Sequence, residues 1–190
     1  YVEYPEIPDT FINALVAAED NRFFSHFGFD VQGIARAALK NIEAGRIVQG
    51  GSTLTQQTAK NLYKRKDRSY KSKFIELIYA LRLEYHYSKE EILEFYSNQF
   101  FVSGNGHGLG VAARYYFNKK PEELTLIESA YIAGSVKRPN YYNPFIKKDP
   151  DAVELAKERG RQRVAYVLNA MLNLGMIDDL EYKQAKISEI

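Results

Sequence analysis

The strongest constraint on the fold is the period of the apolar residues. In segment after segment they return at three- and four-residue intervals behind a capping side chain, and no alternating run interrupts them. Asp9 is placed to cap a helix over about 10–20, with Phe11, Ala14, Leu15 and Ala18 on one face. Asp30 is placed to cap a second, with Ile34, Ala37, Ala38 and Ile42 as its stripe and Gly45 as its stop. Ser52 follows two glycines and opens a third, reaching about residue 63. A fourth runs over about 69–85, with Phe74, Leu77, Ile78 and Leu81 as its apolar stripe. Ser88 with Glu91 and Thr125 with Glu128 read as capping boxes, ahead of Ile92, Leu93 and Tyr96 and of 130–136. The glycine-rich stretch 105–110 must be a loop or tight turn. Helices are further expected over 111–117, over about 150–174 with Gly175 as the stop, and over 178–186. There is no Asn-Gly hairpin and no internal repeat, so the fold class is mainly α.

A chain of 190 residues, 45% hydrophobic and 26% charged, can bury an ordinary core and is not a disordered segment. Its net charge of +2 does not by itself imply nucleic acid. It has no cysteine, which excludes disulfides and thiolate metal sites. Its three histidines, His26, His86 and His107, are scattered, so no metal site is expected. No apolar run approaches the roughly 18 residues of a spanning helix. The chain starts at Tyr1 and reads as a fragment or a processed form. The stretch 64–69 is polar and highly charged, and a mobile loop is expected there.

Three segments carry chemistry. In Glu19-Asp20-Asn21-Arg22-Phe23-Phe24-Ser25-His26-Phe27-Gly28-Phe29-Asp30, two acids end an apolar helix and oppose its dipole, and phenylalanines crowd behind them. A carboxylate against aromatic surface loses solvation, which suits a proton acceptor near neutral pH. The plainer alternative, Glu19 facing water and Asp20 in a local turn, is the commoner outcome for such residues. In Gln49-Gly50-Gly51-Ser52-Thr53-Leu54-Thr55-Gln56-Gln57, glycines before a capped helix let a ligand approach first-turn N–H groups, and an ordinary turn with a serine cap explains the pattern equally well. In Arg68-Ser69-Tyr70-Lys71-Ser72-Lys73-Phe74-Ile75-Glu76, Lys73 and Glu76 share a helix face pointing away from the apolar stripe. Cations there can hold a pyrophosphate, and a solvated surface ion pair is the ordinary alternative. Tyr96, Asn98, Ser103 and Gly104 suit sugar hydroxyls and suit core packing as well.

Taken together and in order, these segments resemble the family 51 peptidoglycan glycosyltransferases, the glycan-polymerising domains of class A penicillin-binding proteins and of monofunctional glycosyltransferases. The resemblance runs from about Ile7 to Gly175. It rests on Glu19-Asp20 through Phe23, His26, Gly28 and Asp30; on 51–57; on Lys73 with Glu76; on Lys89 through Ile92-Leu93-Glu94, Tyr96 and Asn98; and on Gly110, Ala112-Ala113, Tyr116-Phe117 and 128–139. One departure stands out: Ser72 occupies the place where the third motif usually has arginine, and Arg68, one turn earlier, is the candidate replacement.

The resemblance implies a lysozyme-like helical fold with a larger lobe and a small, mobile, membrane-proximal lobe. It implies one glycosyltransferase domain over 1–190, from a parent with an N-terminal membrane anchor and room for a C-terminal transpeptidase domain. The substrate it implies is lipid II, added to a growing glycan chain at the outer face of the bacterial cell membrane, in cell-wall synthesis and alongside other cell-wall proteins. Glu19 would be the general base and Glu76 would act at the leaving group. Lys73, Arg68 and Lys60 would neutralise phosphates, and Ser52, Thr53, Gln57 and Asn98 would contact substrate. No cofactor is required, although a divalent cation (Mg²⁺ or Mn²⁺) could assist at the pyrophosphate near Glu76. The phenylalanines from Phe23 to Phe29 are candidates to dip into the lipid interface. Rival readings are a lysozyme-like glycan-cleaving enzyme, a non-catalytic helical domain binding membrane or a partner, and a basic helical nucleic-acid binder, the last disfavoured by the small net charge.

Overall fold

The structure, a computed structural model, describes residues 1–46, 50–63 and 69–188. Among them the chain forms ten α-helices and three single 3-10 turns, with isolated bridges and no strand. The helices are α1 (Asp9–Glu19), α2 (Val31–Glu43), α3 (Leu54–Leu62), α4 (Tyr70–His86), α5 (Lys89–Gln99), α6 (Leu109–Phe117), α7 (Leu126–Ser135), α8 (Pro139–Tyr142), α9 (Pro150–Asn173) and α10 (Asp179–Ile187). The mainly α fold is as expected from the sequence. No described helix is long and apolar enough to cross a membrane.

Caps explain most helix starts. The side chains of Thr53, Ser69, Thr125, Asp149 and Asp178 each accept a first-turn N–H, which satisfies a donor the helix itself cannot. The Ser88–Glu91 box forms reciprocally, at 2.8 and 3.2 Å. Three expected caps differ, the first being Asp9, which is already the first residue of α1. Asp30 stands at the N-cap position of α2, but its carboxylate turns to Arg22 at 3.7 Å instead of bonding the helix. Thr53, not Ser52, caps α3.

The chain divides into two compact units, a larger one of Tyr1–Ala18 with Ser97–Ile190 and a smaller one of Glu19–Tyr96. In the larger unit α7 packs on α9. A Cβ on Gly134 would lie 2.9 Å from Arg163 Cγ and 3.2 Å from Val167, so the crossing requires a residue without a side chain. Phe11, Leu15, Leu109, Ile132, Val167, Leu168 and Met171 form the buried core there.

In the smaller unit α3 packs on α4, and Phe23, Leu54, Ala59, Ala80, Leu83, Ile92, Leu93 and Tyr96 are buried. Neither apolar stripe read from the sequence is wholly buried in this core. On α4, Phe74 is 63% and Ile78 48% exposed, while Glu76 is 5% exposed beside Ala80 and Leu83. On α2, Ile34 and Ile42 are exposed and Ala37 alone is buried. Periodicity identified both helices correctly; on α4 the inward side is the one carrying Glu76, Ala80 and Leu83, and on α2 only Ala37 of the expected stripe is buried.

Candidate active site

The smaller unit holds both proposed working carboxylates. Glu19 is the last residue of α1 and is half-buried. Its charge is felt by Tyr96, whose phenol is pushed well above its ordinary pKa, first by complete burial and then by Glu19. Tyr96 therefore stays protonated, and its hydroxyl donates to Gln57 Oε1 at 3.3 Å.

The turn after Glu19 is fastened at three points. Asp20 Oδ2 accepts the Leu54 N–H at 2.9 Å and meets His26 Nε2 at 2.9 Å. Thr53 Oγ1 donates to the Gly28 carbonyl at 2.7 Å. Gly28 has φ +81°, and a Cβ there would lie 3.2–3.3 Å from the backbone of Ala80 and Leu81, so only glycine lets the turn approach α4 this closely. Phe23 is fully buried and Phe29 half-buried, whereas Phe24 and Phe27 are more than half exposed, so the latter two are the most open to a lipid surface.

Glu76 points into the unit, with its side chain 3% exposed, and is ion-paired to Lys73. The Lys73 ammonium also donates to Ser52 Oγ at 2.9 Å. A buried carboxylate is costly unless paired, and this pair supplies the compensation. Lys73 has three N–H donors and two partners among the described residues, and its side chain is 43% exposed, so one donor remains for an anion. The surface ion pair allowed by the sequence is replaced by a half-buried Ser52–Lys73–Glu76 chain.

The remaining candidates are placed as follows. Thr53 is buried, accepts from Gln56 N and donates to Gly28, so its hydroxyl is spent inside the fold instead of lining a cleft. Three donors at the start of α3 are also committed: Thr53 N to Gln56 Oε1, Leu54 N to Asp20 and Gln56 N to Thr53. Gln57 is half-buried under Tyr96, and Lys60 is exposed in the last turn of α3. Asn98 lies in the larger unit, apart from the others in the chain's division. Its amide is used on the backbone of Val2, accepting at 2.8 Å and donating at 2.8 Å. Arg68 and the rest of 64–68 fall outside the described residues.

Among the described residues, no three His, Cys, Asp or Glu side chains gather where a metal ion could be held. Sequence reading gave no role to Thr55, Glu84 or the Asp20–His26 pair. The only available signal was electrostatic, an acid ending α4 and a cation opening α5 against their own helix dipoles.

A family model described as Transglycosylase matches residues 1–172. The chain belongs to that family. By that description it is a glycosyltransferase domain. Penicillin-binding protein 1A of Neisseria flavescens is 41% identical over 190 residues, 100% of this chain and 23% of that protein. Penicillin-binding protein 1A of Aquifex aeolicus (strain VF5) is 43% identical over 185 residues, 97% of this chain and 24% of that protein. The chain thus spans about a quarter of the length of these relatives. The crystal structure of penicillin-binding protein 1A from Haemophilus influenzae matches 71% of this chain and 16% of that chain, at 30% identity and a TM-score of 0.47.

Proposed function

We propose that this domain polymerises lipid II into glycan strands at the outer face of the bacterial membrane. The observation that carries this reading is the inward-turned Glu76, paired to Lys73, which has one N–H to spare among the described residues. In the proposed reaction, Glu19 accepts the proton of the acceptor's 4-hydroxyl. That oxygen forms a bond to the donor's anomeric carbon from the face opposite the leaving group. The bond from that carbon to the pyrophosphate oxygen breaks with inversion, and the polyprenyl pyrophosphate departs. Negative charge accumulates on the departing oxygens, where Lys73 can donate a charge-assisted hydrogen bond and Glu76 holds that ammonium in place. Lys60 supplies further positive charge.

The exposed Phe24, Phe27, Ile34, Ile42, Phe74 and Ile78 of the smaller unit support contact with a lipid surface, where such side chains would be buried among acyl chains. A glycan-cleaving enzyme is disfavoured by the same Lys73, because hydrolysis of a glycan has no pyrophosphate to neutralise.

The test is incubation of the chain with fluorescent lipid II in detergent, followed by gel separation. A ladder of glycan products is expected, and a strong reduction in Lys73→Met. Absence of polymer together with shortening of preformed glycan would replace this reading with the hydrolytic one.

A further inference from the structure

Glu84 and Lys89 form a buried ion pair to which the proposed reaction gives no work. Glu84 lies in the last turn of α4 and Lys89 opens α5, so each charge opposes the dipole of its own helix. Neither is placed to stabilise the helix that carries it. They meet across the α4–α5 turn at 2.6 Å, with side chains 3% and 18% exposed. The same Glu84 oxygen accepts the Thr55 hydroxyl of α3 at 2.6 Å. The Lys89 ammonium sits over the ring of Phe23, 4.4 Å from its centroid. Phe23 stands edge-on to His26, centroids 6.0 Å apart, and His26 meets Asp20, the neighbour of Glu19.

We propose that Lys89, held by Glu84, is a positioning residue for Glu19: its ammonium on the face of Phe23 fixes the turn that aims the general base. A cation over an aromatic face is attracted by the ring quadrupole, and more strongly where water is excluded, as it is around buried Phe23. Through Thr55 the same pair ties the turn's other support, α3, to α4. The ion pair therefore joins the two walls between which the turn is fastened. A general base displaced by about 1 Å loses much of its rate while substrate binding is retained, so the effect belongs in kcat.

This inference rests on the glycosyltransferase reading above, so its experiment has one arm that does not depend on turnover. Lys89→Met is expected to lower kcat for lipid II polymerisation roughly tenfold or more, with KM little changed. It is also expected to move the imidazole NMR signals of His26 and to lower Tm, because Glu84 is left buried without its cation. Lys89→Met with Glu84→Gln removes both charges and should recover the lost Tm, yet keep the low kcat and the displaced His26 signals. Lys89→Arg should stay close to the parent. Parent-like kcat in the double variant, or unmoved His26 signals in Lys89→Met, would overturn the proposal and leave the pair a structural tie. A parent chain that makes no polymer would defeat the glycosyltransferase reading instead, and the His26 signals would still judge the contact.

Discussion

The Thr53 hydroxyl has one proton and gives it to the Gly28 carbonyl, while a lone pair receives the Gln56 N–H. Ser52, one residue earlier, accepts from Lys73 and remains half-buried. Neighbours of similar chemistry thus divide between fold and site. Thr53→Val keeps the shape but loses the cap and the tether, and should cost about 1–2 kcal/mol in urea unfolding, with Thr53→Ser retaining most of it. Ser52→Ala should leave stability within about 0.5 kcal/mol, since it removes only a partly exposed acceptor. Its effect should fall on the KM for lipid II, through a less restrained Lys73. Equal stability losses in Thr53→Val and Ser52→Ala would contradict this division.

At the scale of elements, α4 is the instructive case. Its helical period and its Ser69 start were legible, because spacing and capping are local properties of the sequence. Which face turns inward was not legible. An apolar stripe reveals the side that avoids water but not whether protein or another medium covers it. Phe74→Ser with Ile78→Ser should therefore leave Tm nearly unchanged and weaken binding to lipid vesicles in a flotation assay. Leu83→Ala should do the reverse, costing about 2–5 kcal/mol as a buried cavity. A large Tm loss in the serine pair would mean the stripe is core after all. On α7, burial pushes the Glu128 carboxyl up, but hydrogen bonds from Lys119 and Thr125 and the charge of Lys119 outweigh it and hold it below the usual range. A depressed carboxyl adds stability above its unfolded pKa, about 4.3, and loses it as pH falls through the folded value. The Tm difference between the parent and Glu128→Gln should shrink as pH is lowered from neutral to below about 4.

At the scale of the whole molecule, the ordered series of segments from Glu19 to Pro139 was enough to identify the family, which the match over 1–172 shows. Where the chain passes from one unit to the other was not readable, because α1 and α5 each run through the boundary without a break in pattern. Asn98 was grouped with Tyr96 for the same reason: they are two residues apart on α5 but fall in different units. The Glu84–Lys89 pair was hidden because its partners, Thr55 and Phe23, are distant in sequence. The central claim is that Glu19 draws the proton from the acceptor hydroxyl. It is tested most directly by the rate of lipid II polymerisation in Glu19→Gln, with its fold verified by circular dichroism. A loss of about 10²-fold or more is expected of a missing general base. A folded Glu19→Gln that polymerises within a few-fold of the parent would contradict the claim.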